Sequence, residues 1–144
     1  MTGHWAAGDR YGLAFPADPA TLRGGGARFL TDALRRSGVL GADNRVARIA
    51  RFEVVDAGST GRKVVVTVEY DRAAPELHTD LFVKFSRDFD NPTRDLGRTQ
   101  MDAEVRFAAL SRVPDFPIAV PSVLFADYHR ETGTGLLITE RIWF

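Results

Sequence analysis

A lysine in the middle of an apolar stretch is the residue of this sequence whose type and position most suggest chemistry. Lys84 lies within residues 81–85, a run whose other members are all apolar and which is predicted to be a central strand. An ammonium group there would cost several kcal/mol to desolvate, so it requires an anionic partner or an opening to solvent. The chain has seventeen arginines but only two lysines, Lys63 and Lys84. The plainer alternative is a lysine near a strand end that extends its ammonium group into water.

Glu104 is a candidate partner for this lysine, twenty residues further along the chain. It lies in a predicted helix over residues 98–112, in which Met101 and Val105 belong to an apolar stripe. Glu104 falls about 60° from Met101 around the helix, at the margin of that stripe. The carboxylate is therefore directed toward the sheet, where it can neutralise Lys84. The alternative is that Glu104 pairs with an arginine of its own helix on an exposed face.

A turn with two glycines and two hydroxyl residues precedes this region. Gly58, Ser59, Thr60 and Gly61 can direct backbone N–H groups toward a phosphate. The full G-x-G-x-x-G pattern is missing, so a simple hairpin turn is the plainer interpretation of these four residues. Lys63, just after the turn, is interpreted as a solvated strand residue rather than as a ligand.

These residues need a scaffold, and hydrophobic periodicity predicts one. The glycines at 24–26 are expected to split or delay a helix that is then placed at residues 27–37, and residues 1–20 are expected to form a flexible arm. The remaining predicted elements are strands at 47–55, 63–70 and 80–86, the helix at 98–112, and strands at 122–128 and 135–142. We therefore predict an α+β fold within residues 21–144: a five-stranded antiparallel sheet with a crossover helix after the third strand and a preceding N-terminal helix.

Four features follow one another along the chain: the glycine-bearing hairpin, the strand lysine, the helical glutamate and the final strands. Their order resembles that in one lobe of a known enzyme family. It is the N-terminal, nucleotide-binding lobe of the protein-kinase-like phosphotransferases, in particular the aminoglycoside phosphotransferase and choline kinase-like group. The sequences LFVKF at 81–85, MDAEVRF at 101–107 and ITER at 138–141 look like the third-strand lysine, the pairing glutamate and the hinge of that group. The resemblance covers roughly residues 20–144.

The resemblance implies a role for each of these residues. Lys84 would bridge the α- and β-phosphates of ATP, and Glu104 would hold its ammonium group in place. The glycine-bearing turn would lie over the phosphates, and the backbone of Glu140, Arg141 and Ile142 would hydrogen-bond the adenine. In its full-length form, such an enzyme would use ATP and Mg²⁺ to phosphorylate a hydroxyl group of a small molecule.

No catalytic or metal-binding residue is assigned within the chain itself. In this family the orienting base and the metal-binding aspartates belong to a C-terminal catalytic lobe, which is expected to be absent here. The isolated chain is therefore expected to bind Mg-ATP weakly or not at all and to be inactive. His4, His78 and His129 show no metal-ligand spacing. The sequence at 129–131 superficially resembles a catalytic His-Arg-Asp loop, but its threonine and glycine neighbours indicate a hairpin tip.

Composition and charge limit which classes of partner and which cellular location are expected. Nineteen basic residues balance nineteen acidic ones, so neither nucleic acid nor a membrane is an expected partner. The chain has no cysteine and no predicted signal peptide or membrane span, and a cytoplasmic location is expected. The expected partners are a nucleotide and either the missing C-terminal lobe or, through the exposed face of this lobe, a second copy of the chain. The alternative function is a stand-alone, non-enzymatic α+β binding or interaction module, in which Lys84 and Glu104 form only a structural pair.

Overall fold

Five antiparallel strands form the main sheet of the protein. The computed structural model describes residues 3–55 and 61–142. In chain order the elements are β1 (Trp5–Ala7), β2 (Ala14–Pro16), α1 (Pro19–Arg36), β3 (Val46–Val55), β4 (Arg62–Tyr70), β5 (Asp80–Phe85), α2 (Pro92–Asp95), a 3-10 turn (Arg98–Gln100), α3 (Met101–Ser111), β6 (Val123–His129) and β7 (Thr134–Glu140). The main sheet has the order β3-β4-β5-β7-β6, and every neighbouring pair is antiparallel. This confirms the predicted α+β class and the five-stranded sheet, with α3 following the third strand of that sheet.

The N-terminal part of the chain differs from the prediction. Residues expected to form a flexible arm include β1 and β2, which pair as a two-stranded ribbon, and Phe15 on β2 is fully buried. The ribbon is held to β6 because Asp127 accepts hydrogen bonds from the backbone N–H groups of Arg10 and Tyr11, both at 2.9 Å. The short helix α2, which was not predicted, precedes α3, and the first residues of the helix predicted at 98–112 form the 3-10 turn.

Helix α1 runs through the glycines that were expected to split or delay it. It begins at Pro19, before the glycine run, with Asp18 as its N-terminal cap. Both residue types favour a helix start at these positions. A Cβ atom on Gly26 would lie 2.3 Å from Cδ1 of Ile49, so this glycine allows close packing between α1 and β3. The prediction was wrong because a local cost of about 1 kcal/mol per glycine is outweighed by the cap and by packing.

The two faces of the sheet are covered by different helices. One face packs on α1 and carries the main core, whose strand residues include Val64, Val66, Val68, Leu81, Val83, Phe85, Leu136 and Ile138. The opposite face receives α3, which packs on β6 and β7 through Met101, Val105 and Ala108. Side chains alternate between the faces along each strand. Lys63 and Val65 of β4 and Phe82 and Lys84 of β5 therefore lie on the α3 face, beside the helix.

Candidate functional site

The strand lysine and the helical glutamate form an ion pair. Nζ of Lys84 donates hydrogen bonds to both carboxylate oxygens of Glu104, at 2.8 and 2.9 Å. The side chain of Lys84 is 19% exposed and that of Glu104 is 42% exposed, so the pair is open to solvent on one side. The alternative pairing of Glu104 within its own helix is wrong, because Arg106 donates to Asp102 instead, at 3.1 Å.

Two local patterns bring this pair together. In β5 the apolar residues at 81, 83 and 85 are fully buried in the main core, and the alternation of the strand places Lys84 on the opposite face. In α3 the buried residues Met101 and Val105 dock the helix on β6 and β7. Glu104 lies in the first turn of α3, where a carboxylate also interacts favourably with the helix dipole. The helix therefore presents this carboxylate to β5.

The second lysine of the chain lies beside the first. Lys63 on β4 is the direct cross-strand partner of Lys84 on β5, so both side chains are on the same face of the sheet. The pKa of Lys63 is lowered from its ordinary value, chiefly by burial, then by the positive charges of Lys84 and Arg94, while Glu104 acts in the opposite direction. Lys63 is half-buried and belongs to this charged cluster, which the interpretation of it as a solvated strand residue overlooked.

A mostly apolar floor extends across the sheet from the two lysines. Val65 on β4 is opposite Phe82 on β5, and Phe82 is opposite Thr139 on β7. Val55 on β3 is opposite Lys63. Direct cross-strand partners share a face and neighbouring strands lie about 4.8 Å apart, so the row of Val65, Phe82 and Thr139 spans roughly 10 Å across the sheet. Val65 and Thr139 are buried and Phe82 is half-buried, and the two lysines occupy the neighbouring row of the same face.

The glycine-bearing turn reaches this cluster at Gly61. Gly58, Ser59 and Thr60 lie outside the described residues. Gly61 has a φ of 63°, and a Cβ atom there would lie 1.7 Å from the backbone oxygen of Phe85. A side chain at this position would therefore prevent the close approach of the turn to the end of β5. The approach places the end of the turn next to the strand that carries Lys84.

The backbone of the predicted hinge is partly engaged within the fold. The N–H of Glu140 donates to the carbonyl of Ser122 at 3.0 Å, and the N–H of Arg141 donates to the carbonyl of Asp80 at 3.1 Å. The side chain of Glu140 also accepts from the N–H of Ser122, at 2.9 Å. An adenine contact from this segment must therefore use its carbonyl groups or Ile142, rather than the N–H groups of Glu140 and Arg141.

A network of arginines and aspartates follows β5 and was not predicted. Asp88 is 3% exposed and is approached by Arg94 at 3.2 Å and by Arg62 at 3.7 Å. Arg87 donates to Asp95 at 2.9 Å. The arginines and aspartates that occur close together at 87–95 are the sequence signal that could have revealed this network. The network places Arg94 close enough to Lys63 to influence its pKa.

Other kinds of site have less support. The three histidines lie apart: His4 contacts Asp18, and His78 and His129 lie at different ends of the sheet. Over residues 3–55 and 61–142, no group of three potential metal ligands occurs and no helix is long and apolar enough to cross a membrane. The segment resembling a catalytic loop lies at the tip of the β6–β7 hairpin, as predicted. A cavity of about 790 Å³ lies between α1 and β3, away from Lys84.

Comparison of the chain with protein-family models, curated proteins and solved structures gives no match. Its functional interpretation therefore depends on the geometry of its own residues. That geometry brings together two lysines and a glutamate, beside an apolar row of side chains and Gly61, which packs closely against the end of β5. Such an arrangement can bind an anion at one end and an apolar, planar group at the other.

Proposed function

We propose that the chain is the ATP-binding lobe of an aminoglycoside phosphotransferase-like enzyme, which in full-length form phosphorylates a hydroxyl group of a small molecule. The observation that carries the proposal is the two-pronged ion pair between Lys84 and Glu104. It joins the third strand of the main sheet to the helix that follows that strand. In protein kinases, a lysine of the third strand contacts the α- and β-phosphates of ATP and pairs with a glutamate of the next helix.

The ion pair orients the ammonium group of Lys84 and leaves one of its N–H donors for a phosphate oxygen. An ammonium group has three N–H donors, and two of them face the carboxylate oxygens of Glu104. The third can donate to a phosphate oxygen without loss of the ion pair. The partial exposure of both side chains gives a ligand access to them. This favours the nucleotide-binding lobe over the stand-alone interaction module.

The surroundings of the pair suit the rest of the nucleotide. The apolar floor formed by Val65 and Phe82 leads away from the lysines toward the end of β7. An adenine laid on this floor would approach the carbonyl groups of the predicted hinge at Glu140 and Ile142, with Mg²⁺ and the phosphates at the lysine end. Bound Mg²⁺ would neutralise charge on the phosphates during transfer. This chain would hold and orient the nucleotide, and the second lobe would supply the orienting base and the metal-binding aspartates.

Titration of the 144-residue chain with Mg-ATP, followed by backbone amide NMR, tests the proposal. We expect binding with a Kd on the order of 1 mM, equivalent to about −4 kcal/mol. The shifted amides should cluster at Val65, Phe82, Lys84 and Glu104. Lys84→Met should abolish these shifts while the rest of the spectrum shows an intact fold.

Arg72→Met is a matched control because it also removes one positive charge. Arg72 is exposed, pairs with Asp43 and lies beyond the far end of β4 from Lys63. This variant should bind Mg-ATP as the original chain does. Unchanged binding in Lys84→Met, or an absence of any localised shift, would contradict the proposal. In a longer form that contains the second lobe, Lys84→Met should also abolish phosphotransfer.

The proposal includes a covering partner for the lobe. Exposed large apolar side chains on and around α3 include Phe107 and Leu110 on the helix, Leu96 before it, and Val113 and Ile118 in the segment that follows. These side chains are the surface on which we expect a second lobe, or a second copy of the isolated chain, to pack. Self-association of the chain through this surface should appear as concentration-dependent sedimentation, and a strictly monomeric chain would contradict it.

A further inference from the structure

A cavity of about 790 Å³ lies between α1, β3 and the N-terminal ribbon. Helix α1 covers the face of the sheet opposite to that of Lys84, so this cavity is separate from the proposed nucleotide site. Its volume is within the range of small-molecule sites, which is about 300–1,000 Å³. One wall is apolar: Phe29 is buried, and Trp5 and Ile49 are half-buried. The rings of Trp5 and Phe29 meet edge to face with their centroids 6.3 Å apart, and this wall can receive an aromatic or large apolar group.

Two charged side chains of the lining have no partner in the fold. Arg28 and Asp32 lie one turn apart on α1 and both line the cavity. Neither side chain makes an ion pair, a hydrogen bond or a ring contact with any residue that the structure describes. An acidic residue that follows a basic one by four positions is the less favourable order for an ion pair within a helix. The other charged residues of the lining, Arg23 and Arg48, are engaged, one over an aromatic ring and one in an ion pair.

The glycine run of α1 leaves room beside these two side chains. Gly25 and Gly26 have packing reasons to lack a Cβ atom, which would lie 2.9 Å from the ring of Trp5 and 2.3 Å from Ile49 respectively. Gly24 has no such reason, because a Cβ atom there would meet nothing within 4 Å. A glycine inside a helix is destabilising relative to alanine. Gly24 lines the cavity, so its missing side chain adds to the space that a ligand can occupy.

We propose that this cavity binds a zwitterionic α-amino acid that has an aromatic or large apolar side chain. The ligand carboxylate accepts hydrogen bonds from the guanidinium group of Arg28, and the ligand ammonium group donates to Asp32. Residues four apart on a helix have Cβ atoms about 5–6 Å apart, so two groups attached to one carbon atom can reach both. The side chain of the ligand packs on Trp5 and Phe29.

Charge complementarity selects this class of ligand. An organic anion would leave the carboxylate of Asp32 without a partner, and an organic cation would leave Arg28 without one. A zwitterion satisfies both side chains at once, and its apolar group covers the aromatic wall. The inference does not depend on the proposed ATP-binding function.

Backbone amide NMR titrations of the chain test this inference. The ligands are L-phenylalanine, L-tryptophan and L-leucine, with phenylpropionate, which lacks the ammonium group, and phenylethylamine, which lacks the carboxylate. We expect at least one of the three amino acids to bind with a Kd on the order of 1 mM and to shift the amides of Gly24, Arg28 and Ile49. Phenylpropionate and phenylethylamine should each bind about tenfold more weakly than L-phenylalanine, the size of one charge-assisted hydrogen bond.

Variants of the lining assign the two charged contacts. Arg28→Met should weaken the binding of the amino acid about tenfold without weakening that of phenylethylamine, and Asp32→Asn should do the same without weakening that of phenylpropionate. Gly24→Leu should abolish binding while it raises the melting temperature, because leucine fills the cavity and favours the helix. Arg72→Met, which removes an exposed arginine outside the cavity, should leave every affinity unchanged.

Three results would overturn the inference. If phenylpropionate binds as tightly as L-phenylalanine and Asp32→Asn changes neither affinity, the cavity binds an aryl anion and the amino acid assignment is refuted. If L-phenylalanine binds equally well to Gly24→Leu, it binds outside the cavity. If none of the three amino acids produces a localised shift, the cavity is not a site for this class. None of these results bears on the ATP titration, because every variant of the lining leaves Lys84 and Glu104 in place.

Discussion

Removing either member of the Lys84–Glu104 pair should affect stability unequally. In Glu104→Gln, Lys84 keeps its charge but loses the carboxylate, and Lys63 remains directly opposite. Lys84 is only 19% exposed, so water replaces the carboxylate poorly. Breaking a buried ion pair costs about 3–5 kcal/mol and an exposed pair about 0–1 kcal/mol. For this partly exposed pair we expect Glu104→Gln to lower the free energy of unfolding by about 2 kcal/mol.

Lys84→Met should cost much less. Methionine keeps the apolar stem of the lysine, and the substitution removes the repulsion between the two lysines. The carboxylate left behind on Glu104 is 42% exposed and can be solvated. We therefore expect a change in the free energy of unfolding of less than about 1 kcal/mol. The double variant Lys63→Met with Glu104→Gln should recover about 1 kcal/mol relative to Glu104→Gln alone, because the repulsion between the two directly opposed ammonium groups is removed.

Urea unfolding near neutral pH measures these differences, provided that the slope against urea concentration is the same in all variants. The expected 2 kcal/mol loss in Glu104→Gln corresponds to a fall in melting temperature of roughly 6–10 °C for a chain of this size. Two results would refute the reasoning. One is a larger loss of stability in Lys84→Met than in Glu104→Gln. The other is a failure of Lys63→Met to recover stability in the Glu104→Gln background.

Two other predictions concern residues outside the site. Asp127 is fully buried and accepts from the N–H groups of Arg10, Tyr11 and Tyr128. Asp127→Asn should lower the free energy of unfolding by about 2–3 kcal/mol, because an amide N–H₂ cannot accept these bonds. Hydrogen exchange at Arg10 and Tyr11 should accelerate, and unchanged exchange would contradict the role given to Asp127. Burial raises the pKa of Tyr70 from 10.0 to about 12, so its stabilising contribution is complete below pH 10 and is lost as the pH rises toward 12. Tyr70→Phe should reduce this alkaline loss of stability, as followed by unfolding curves at successive pH values, and an equally steep loss in the variant would count against it.

The strands were predictable because their signal is local. Val64, Val66 and Val68 alternate with Val65, Thr67 and Glu69, which predicted a strand at 63–70, and β4 spans Arg62–Tyr70. The period of two depends only on the geometry of the strand itself. The crossover helix was predictable for the same reason, since α3 (Met101–Ser111) buries the apolar stripe seen in the sequence.

The N-terminal region was not predictable in the same way. The glycines of α1 have poor helix propensity, but Gly26 is needed where Ile49 of β3 approaches the helix. The ribbon of β1 and β2 depends on Asp127, more than a hundred residues away in the sequence. No local pattern indicates a contact at that separation.

The two lysines show most clearly which features depend on the sequence alone and which depend on the tertiary structure. The sequence alone determined that Lys84 is an unusual charge in an apolar strand and that Glu104 is directed toward the sheet. Both inferences depend only on the types of the neighbouring residues and on their spacing. Only the tertiary structure decided that Lys63 stands opposite Lys84. Strand register determines that placement, and a shift of one residue would turn Lys63 to the other face of the sheet. Register depends on the pairing of whole strands, so it emerges only when the sheet is assembled.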